Sequence, residues 1–463
     1  MEFAVQAGAK AKRRFLDFKM PHLLFMMLGL IVLMSVLTYV LPTGKYVEVD
    51  GVQRYISVER TPVNIMGALL LIVDGIVNSS KIIAILLVTG GCMAVVLGTK
   101  AIDRLVDYAL YRLQDKGSTV LIPCVFFLIS IIGGFNIEAS VPLFPLGILV
   151  AKKLKLDHMA AAGITVLASL VGWSTSPASC YVAQLMIGVP MYSGFLVRAL
   201  NLLICSAVGS LFVLHYAKKI EKDPAKSIMG NANWLQEFAG QAEDIKEAKL
   251  DPRDVLIITL FFAQYAVYFY LMLGLGFGIG ALPTVMLPVA ITCGFLNHDS
   301  CDLIGKRFED GTKDMSFLCV LIGFAGVISL IMKNGQIMAT ITYYLSMPLK
   351  DLSSGFATIG IASVIAAINF VIPSASAKAA ALIPIIKPMA EMLKISPQLA
   401  VQAFQVGDGF MNILSPFNAV TLAGIALAKV SYGKWAKWVV PLMVAYYAIE
   451  FVFLFVLGSI GWR

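Results

Sequence analysis

The sequence predicts an all-α polytopic membrane protein with two inverted repeats, each containing a re-entrant hairpin and a broken transmembrane helix. Composition is the first observation, because the 463-residue chain is 59% apolar and only 14% charged, with a mean hydropathy of +0.84. Such values are typical of membrane proteins and exclude an ordinary soluble core. The second is the presence of many apolar runs long enough to cross ~30 Å of hydrocarbon, and the third is an internal repeat.

The repeat relates two stretches that carry the same sequence plan. Phe135 to Pro177 recurs faintly, without gaps, from Ser374 to Pro416, which is 239 residues later. Ser176-Pro177 then falls on Ser415-Pro416. Each copy has a polar tip, a short apolar arm, a Lys-containing turn, a second helix and a Ser-Pro break. Short, Gly- or Pro-interrupted segments in corresponding places of two halves are typical of secondary transporters, which hold substrate at the broken segments near the bilayer midplane.

Three polar regions organise the rest of the chain. Residues 218–253, with seven basic and seven acidic side chains, form a predicted cytoplasmic connector between a first half, 1–217, and a second half, 254–463. Part of the connector, Trp234 to Lys249, is predicted to be helical. Gly44 to Arg60 alternates apolar and polar residues around Asp50-Gly51, which predicts a β-hairpin on the outer face. Lys100 to Lys116 is predicted to be an amphipathic helix at the membrane interface.

Charge and cysteine usage narrow the class of protein further. The net charge of +8 does not predict a nucleic-acid partner, because the basic residues lie at membrane ends and in loops. Those between Lys10 and Lys19 precede the first span, so the N-terminus is expected in the cytoplasm. The seven cysteines form no C-x-x-C pair, so neither a disulfide framework nor a zinc site is expected. No H-E-x-x-H or G-x-S-x-G motif is present, so we do not expect an enzyme.

The first polar tip interrupts hydrocarbon after Gly133-Gly134 and before Pro142. Asn136, Glu138 and Ser140 supply side-chain oxygens there. Polar groups at such a place are costly unless they are used or satisfied, so these three residues are predicted to bind substrate. The alternative is a loop that reaches the surface, in which Glu138 is only solvated.

The second polar tip is the matching segment of the second half. Ser374, Ser376 and Lys378 follow Pro373 at the start of a new helix. Two hydroxyls, an ammonium and the partial positive charge of unpaired backbone N–H groups suit a carboxylate. Alternatively, Lys378 extends to a lipid headgroup or pairs with an acid to hold the fold.

The Ser-Pro breaks complete the predicted site with hydroxyl, amide and carboxylate oxygens. Because proline frees carbonyls one turn back, these breaks are candidates for binding a hard cation, either Na⁺ as the candidate metal or H⁺. A proline kink without a ligand is the alternative. The predicted coupling-ion residues are Ser174, Thr175, Ser176, Asp408 and Ser415, and the predicted substrate-binding residues in the second break are Asn412 and Asn418.

At these residues the chain resembles a known family. The runs Pro373 to Ala379 and Gln405 to Asn412, with Ser415-Pro416 beyond, are similar to the second half of the C4-dicarboxylate anaerobic carrier family, in particular its YfcC-type members. The resemblance implies a multi-pass carrier in the bacterial inner membrane, with two inverted repeats, and points to Ser374, Ser376, Lys378, Asp408, Asn412 and Ser415. The chain departs from the family pattern at Ala375 and Ala377, where glycine is common.

Together these observations predict a secondary active transporter, either a cation-coupled symporter or an exchanger, of a small carboxylate-bearing metabolite. Glu138 and Asp408 add negative charge to the site, which favours an amino acid slightly over a C4-dicarboxylate. The family that the chain resembles includes proteins proposed to move basic amino acids, so the resemblance places these among the candidates. A channel or an ion antiporter that uses the same polar tips is the alternative. The expected partners are a small-molecule substrate and the lipid bilayer, with no cofactor beyond the coupling ion, and a homodimer is left open.

Overall fold

The structure is a computed structural model that describes residues 23–49, 52–113, 116–230, 249–277, 280–346, 354–393 and 395–462. Lys10 to Lys19 and residues 231–248, which include most of the predicted helix Trp234–Lys249, lie outside these residues. The described chain is mainly helical, as the sequence predicts.

Before the connector, the chain forms one β-hairpin and a series of helices of very unequal length. In order they are α1 Leu23–Val40, β1 Gly44–Val49, β2 Val52–Ser57, α2 Ile65–Asn78, α3 Ser80–Gly98, α4 Ala101–Leu113, α5 Gly117–Phe135, α6 Ile137–Ser140, α7 Phe144–Lys153, α8 His158–Thr175, α9 Tyr181–Ile187 and α10 Phe195–Lys222. A π-helical turn at Gly163–Leu167 lies inside α8.

After the connector, the described chain is helical. Its helices are α11 Pro252–Phe269, α12 Ala281–Leu296, α13 Cys301–Asn334, α14 Met338–Ser346, α15 Ser354–Val371, α16 Ala375–Met392, α17 Pro397–Phe410, α18 Ala419–Leu427 and α19 Tyr432–Ser459.

Seven of the described helices are long and apolar enough to cross a membrane. They are Ser80–Gly98, Gly117–Phe135, His158–Thr175, Phe195–Lys222, Pro252–Met272, Cys301–Asn334 and Tyr432–Ser459. Large apolar side chains on α2, α10 and α19 point away from the protein, for example Leu70, Leu196 and Val444, with exposed fractions of 71%, 82% and 67%. Such surfaces are stable against lipid and not against water.

The predicted β-hairpin is confirmed. Strands β1 and β2 pair in antiparallel register, with Tyr46 opposite Tyr55, and the turn residues 50–51 lie outside the described chain. The Tyr55 ring stacks on Tyr343 of α14 at 4.2 Å between centroids, and its hydroxyl hydrogen-bonds to Thr340 at 2.9 Å. The hairpin therefore joins the first half to the second.

The helix boundaries recur at the same offset as the sequence repeat. At 239 residues, Lys153 at the end of α7 falls on Met392 at the end of α16. His158 at the start of α8 falls on Pro397 at the start of α17. The later helices α10 and α19 have the same length of 28 residues. This agreement supports a duplication, while the inverted orientation and the re-entrant path remain predictions.

Close helix crossings position the broken helices. Helix α5 packs on α8, α15 packs on α17, and α8 packs on α17 across the two halves. A Cβ placed on Gly409 would lie 2.3 Å from the Cα of Ser174, so only glycine permits this approach of α17 to α8. This crossing places the end of α17 against the first Ser-Pro break.

Candidate substrate and coupling site

Lys378 is buried in an ion pair with Asp408. Its Nζ lies 2.8 Å from Asp408 Oδ1, and the two side chains are only 1% and 7% exposed. The same ammonium donates to the backbone carbonyl of Ile372 at 2.8 Å and to the side-chain carbonyl of Asn369 on α15. The ammonium is therefore held by one ion pair and two hydrogen bonds within the protein. The geometry agrees with the alternative in which Lys378 pairs with an acid.

Around this pair, four polar side chains form a continuous network. Asn369 Nδ2 donates to the carbonyl of Asp408 at 2.6 Å and to Asn412 Oδ1 at 3.1 Å. Asn418 Nδ2 donates to the same Asn412 oxygen at 3.1 Å. Thr421 donates through its hydroxyl to the Asn412 carbonyl at 2.6 Å. These side-chain hydrogen bonds replace the helical hydrogen bonds that are lost in the broken segment after α17.

The first tip has a smaller set of hydrogen bonds and contains one acid, Glu138. Asn136 caps α6 by accepting from the Ala139 N–H at 3.0 Å, and Ser140 hydrogen-bonds to the hydroxyl of Ser169 on α8. Glu138 is half-buried, and it forms no ion pair with any described residue.

The predicted ion-binding hydroxyls of the first break lie at the end of α8. Ser174 and Thr175 donate to the carbonyls one turn back, Leu170 at 2.6 Å and Val171 at 2.8 Å. Ser176 accepts from the Ala178 N–H at 3.1 Å. A hydroxyl that donates to a carbonyl keeps lone pairs that can bind a cation. The geometry therefore permits the predicted ion-binding role of these oxygens, which stays a prediction.

The second break repeats this local geometry. Ser415 accepts from the Phe417 N–H at 3.2 Å, as Ser176 does from Ala178, and Ala178 falls on Phe417 at the 239-residue offset. Ser415 also donates to the Phe370 carbonyl at 2.7 Å. Its hydroxyl therefore joins the second break to the end of α15.

A cavity of about 410 Å³ lies between the halves and joins the two tips. Glu138 lines it from the first tip, Ser374 from the second, and Asn412 and Asn418 from the second break. Among its described lining residues, Glu138 is the only charged side chain. Its volume falls in the range of small-molecule sites.

Not every predicted residue lines this cavity. Lys378 and Asp408 are buried but do not line it, and Asn136 and Ser140 support the first tip. The side chain of Ser376 lies outside the described part of the structure. The tip of α16 faces the cavity through Pro373, Ser374 and Ala375.

Four lining residues with polar side-chain atoms are missing from the predicted site. Asn78 and Ser79 come from the break between α2 and α3, Ser329 from α13, and Trp173 from α8. The break carries a readable signal, since Asn78-Ser79-Ser80 interrupts an otherwise apolar run. Ser329 and Trp173 lie inside continuous helices, where one serine or tryptophan carries no such signal.

A second, smaller cavity of about 50 Å³ adjoins the first. Asp408 and Gln405 line it from α17, and Cys180 lines it from the first break. Trp173 and Ala375 line both cavities. Asp408 of the ion pair therefore borders a small cavity. Trp173 from the first half and Ala375 from the second half lie between this cavity and the main one.

These features define a class of protein, a helical membrane carrier with broken helices meeting at a central cavity. The model of the C4-dicarboxylate anaerobic carrier family (DcuC) matches residues 20–459. The chain therefore belongs to this family, as its sequence resemblance predicts, and it is a membrane transporter.

The chain is also similar to two bacterial relatives. The chain is 26% identical over 390 residues, covering 79% of this chain and 76% of the relative, to YfcC of Escherichia coli (strain K12), whose name proposes basic amino acid antiport. It is 24% identical over 379 residues to an uncharacterized protein of Haemophilus influenzae, covering 80% and 74% of the two chains.

Two solved transporters were also matched over almost the whole chain. The YdaH transporter of Alcanivorax borkumensis is 17% identical with a TM-score of 0.46, covering 96% of this chain and 99% of that one. MtrF of Neisseria gonorrhoeae, described within a class of antimetabolite efflux pumps, is 16% identical with a TM-score of 0.45, covering 96% of both chains.

Proposed function

We propose that the protein is a secondary active transporter of an amino acid, with basic amino acids as the first candidates. The observation that carries the proposal is the central cavity, which is lined from both halves and whose described lining holds one charge, the carboxylate of Glu138. An acid without an ion-pair partner in such a place attracts a cationic group. The amino groups of an amino acid supply one.

The other end of the amino acid is matched by the tip of α16. Pro373, Ser374 and Ala375 present the N-terminus of an 18-residue helix to the cavity, and unpaired N–H groups there favour a carboxylate. A zwitterion or a basic amino acid is complementary to both ends of the cavity. A C4-dicarboxylate dianion would meet Glu138 with like charge, which makes it the less favoured substrate.

The proposed coupling element is the Lys378–Asp408 pair with the two Ser-Pro breaks. Asp408 directly precedes Gly409, the residue at which α17 crosses α8 against Ser174, and it lines the smaller cavity. Binding of H⁺ or Na⁺ at this acid would weaken its hold on Lys378, which also contacts Asn369 and Ile372 around the broken segment. Ion binding would then change the conformation of the helix ends that line the substrate cavity.

The name of one relative supports the choice of substrate. YfcC of Escherichia coli is named for proposed basic amino acid antiport, and a cavity with a single negative charge is consistent with a cationic solute. The family description names C4-dicarboxylates, so succinate and fumarate belong in the same screen.

Counterflow in proteoliposomes tests the proposal. Vesicles loaded with unlabelled arginine, lysine, alanine or succinate are diluted into a trace of the same labelled solute, and saturable accumulation of label with arginine or lysine is expected. Accumulation with succinate alone would reject the amino acid assignment. Non-saturable flux without counterflow would show a channel, because a channel cannot exchange one bound solute for another.

A further inference from the structure

A second buried acid lies outside the site described above. Glu450 on α19 is 0% exposed, and it is the only acidic residue between Trp438 and Arg463. Both of its oxygens accept from the side-chain amide of Asn201 on α10, at 3.0 and 3.2 Å. The thiol of Cys205 lies one turn further along α10 and donates to Oε1 at 3.3 Å.

No cation balances this carboxylate within the described chain. Glu450 forms no ion pair with a described residue. Arg198 lies on the same helix as Asn201, but its guanidinium bonds to Gln398, Gln405 and the carbonyl of Ser193. A buried carboxylate with only neutral donors is poorly stabilised when charged, so it gains from binding a proton.

The helices packed against α19 add few titratable groups. Helices α10, α15, α17 and α18 contact it. Neither α15 nor α18 contains an ionisable side chain, and α17 contains only Asp408. The ionisable group in contact with Glu450 is Cys205 from α10, and Tyr446 and Tyr447 lie one turn before it on α19 itself.

Tyr447 lies on the helix of Glu450 and beside the helix of Asp408. Its hydroxyl is buried and has no hydrogen-bond partner in the described chain, whereas the neighbouring Tyr446 hydroxyl donates to the Cys205 carbonyl at 3.0 Å. Tyr447 lies one turn before Glu450 on α19, and its ring is 6.3 Å, between centroids, from that of Phe410, which follows Asp408 by two residues on α17. A phenol can give one proton and accept another, so an unengaged hydroxyl on the helix of one acid and beside the helix of the other is suited to a relay.

We propose that Glu450 is a proton-binding site of the transport cycle, and that the Tyr447 hydroxyl relays protons between it and Asp408. Binding converts the carboxylate to the neutral acid and release restores it, with water as the proton source and acceptor. The inference rests on the proposed transporter function and specifies H⁺ as the coupling ion. It assigns Glu450 a role that a purely structural hydrogen bond to Asn201 would not have.

Infrared difference spectroscopy of the purified protein tests the site without any substrate. A carboxylic acid band that is lost as the pH rises from about 5 to about 9 is expected in the wild type, and its absence is expected in Glu450→Gln. Glutamine keeps the shape of the neutral acid and can still contact Asn201, so this variant should fold. An identical band change in both proteins would overturn the proposal.

Transport separates this inference from the proposed function. Counterflow tests the function in the wild type. Glu450→Gln should keep counterflow and lose uptake driven by a pH gradient, and Tyr447→Phe should slow that uptake at least tenfold. Glu309→Gln, which removes an exposed acid on α13, is the matched control and should behave as the wild type. Full gradient-driven uptake by Glu450→Gln would refute the proton site even if counterflow establishes the transporter, and wild-type rates in Tyr447→Phe would refute the relay.

Discussion

The ion pair of Lys378 and Asp408 has a neutral counterpart in the first half, the contact between Ser140 and Ser169. At the 239-residue offset Ser169 falls on Asp408, and Ser140 lies one position from the counterpart of Lys378. In both halves the arm after the tip is joined to the broken helix at this point, by hydroxyls in one and by charges in the other. Of these two contacts at equivalent positions, the charged one therefore lies in the second half.

The first prediction concerns the stability of this pair. Lys378→Ala alone leaves the Asp408 carboxylate buried without its cation, which should lower the free energy of unfolding by about 3–5 kcal/mol. Combining it with Asp408→Ala should recover most of this loss, because neither charge then remains unpaired. Thermal unfolding of the purified single and double variants measures the effect. A double variant that is less stable than both single variants would contradict it.

The second prediction separates coupling from binding. The neutral double variant Lys378→Gln with Asp408→Asn keeps hydrogen-bonding groups at both positions, so it should retain counterflow. It should lose concentrative uptake, because an ion gradient can no longer bias the two conformations. Uptake against a concentration gradient by this variant would place coupling elsewhere.

The third prediction concerns Glu138 and the substrate amine. Glu138→Gln should weaken arginine binding by about 10–100-fold, which corresponds to the ~1.5–3 kcal/mol of a hydrogen bond to a charged group. Calorimetric titration measures the change, with Glu309→Gln as the control for loss of a negative charge. Unchanged affinity would show that the amine binds at another residue.

The fourth prediction tests the crossing of the broken helices. Gly409→Ala places a Cβ 2.3 Å from the Ser174 backbone, and the resulting overpacking should cost about 1–3 kcal/mol and impair transport. Gly305→Ala, also in a helix, meets nothing within 4 Å and should be neutral or slightly stabilising. Unfolding and counterflow of the two variants provide the comparison. Equal behaviour would mean that α8 and α17 do not approach so closely.

The fifth prediction tests the inverted orientation of the repeats. Lys155 is exposed in the turn that follows α7, and Glu391 is exposed in the last turn of α16. An inverted duplication puts these two helix ends on opposite faces of the membrane. Single cysteines at the two positions, in a background without the seven native cysteines, should react with an impermeant thiol reagent from opposite sides. Labelling of both from one side would refute the inversion.

Much of the local structure could be predicted from the sequence. Alternation around Asp50-Gly51 predicted the β-hairpin, and the amphipathic pattern after Lys100 predicted a helix that the structure places at Ala101–Leu113. The repeat offset matched helix boundaries closely. These features depend on neighbouring residues, whose periodicity and turn chemistry can be read along the chain.

The site was only partly predictable because its residues come from distant segments. Glu138, Ser374, Asn412 and Asn418 were predicted and line one cavity. Ser329 was not, because a single serine in α13 is compatible with many environments. The contacts of Lys378 within the protein could likewise not be predicted in full, since one of its partners, Asn369, lies outside the polar tip.

By itself, the sequence determined that this chain enters a membrane and where polar residues interrupt its helices, and it predicted an internal repeat. Those properties follow from composition and spacing. Only the tertiary structure decided which polar residues meet, since pairing depends on how helices cross. It pairs Lys378 with Asp408, places Glu138 at the central cavity, and buries Glu450 beside Asn201. The physical reason is that hydrocarbon makes every unpaired charge costly, while the available partners are set by packing across the two halves.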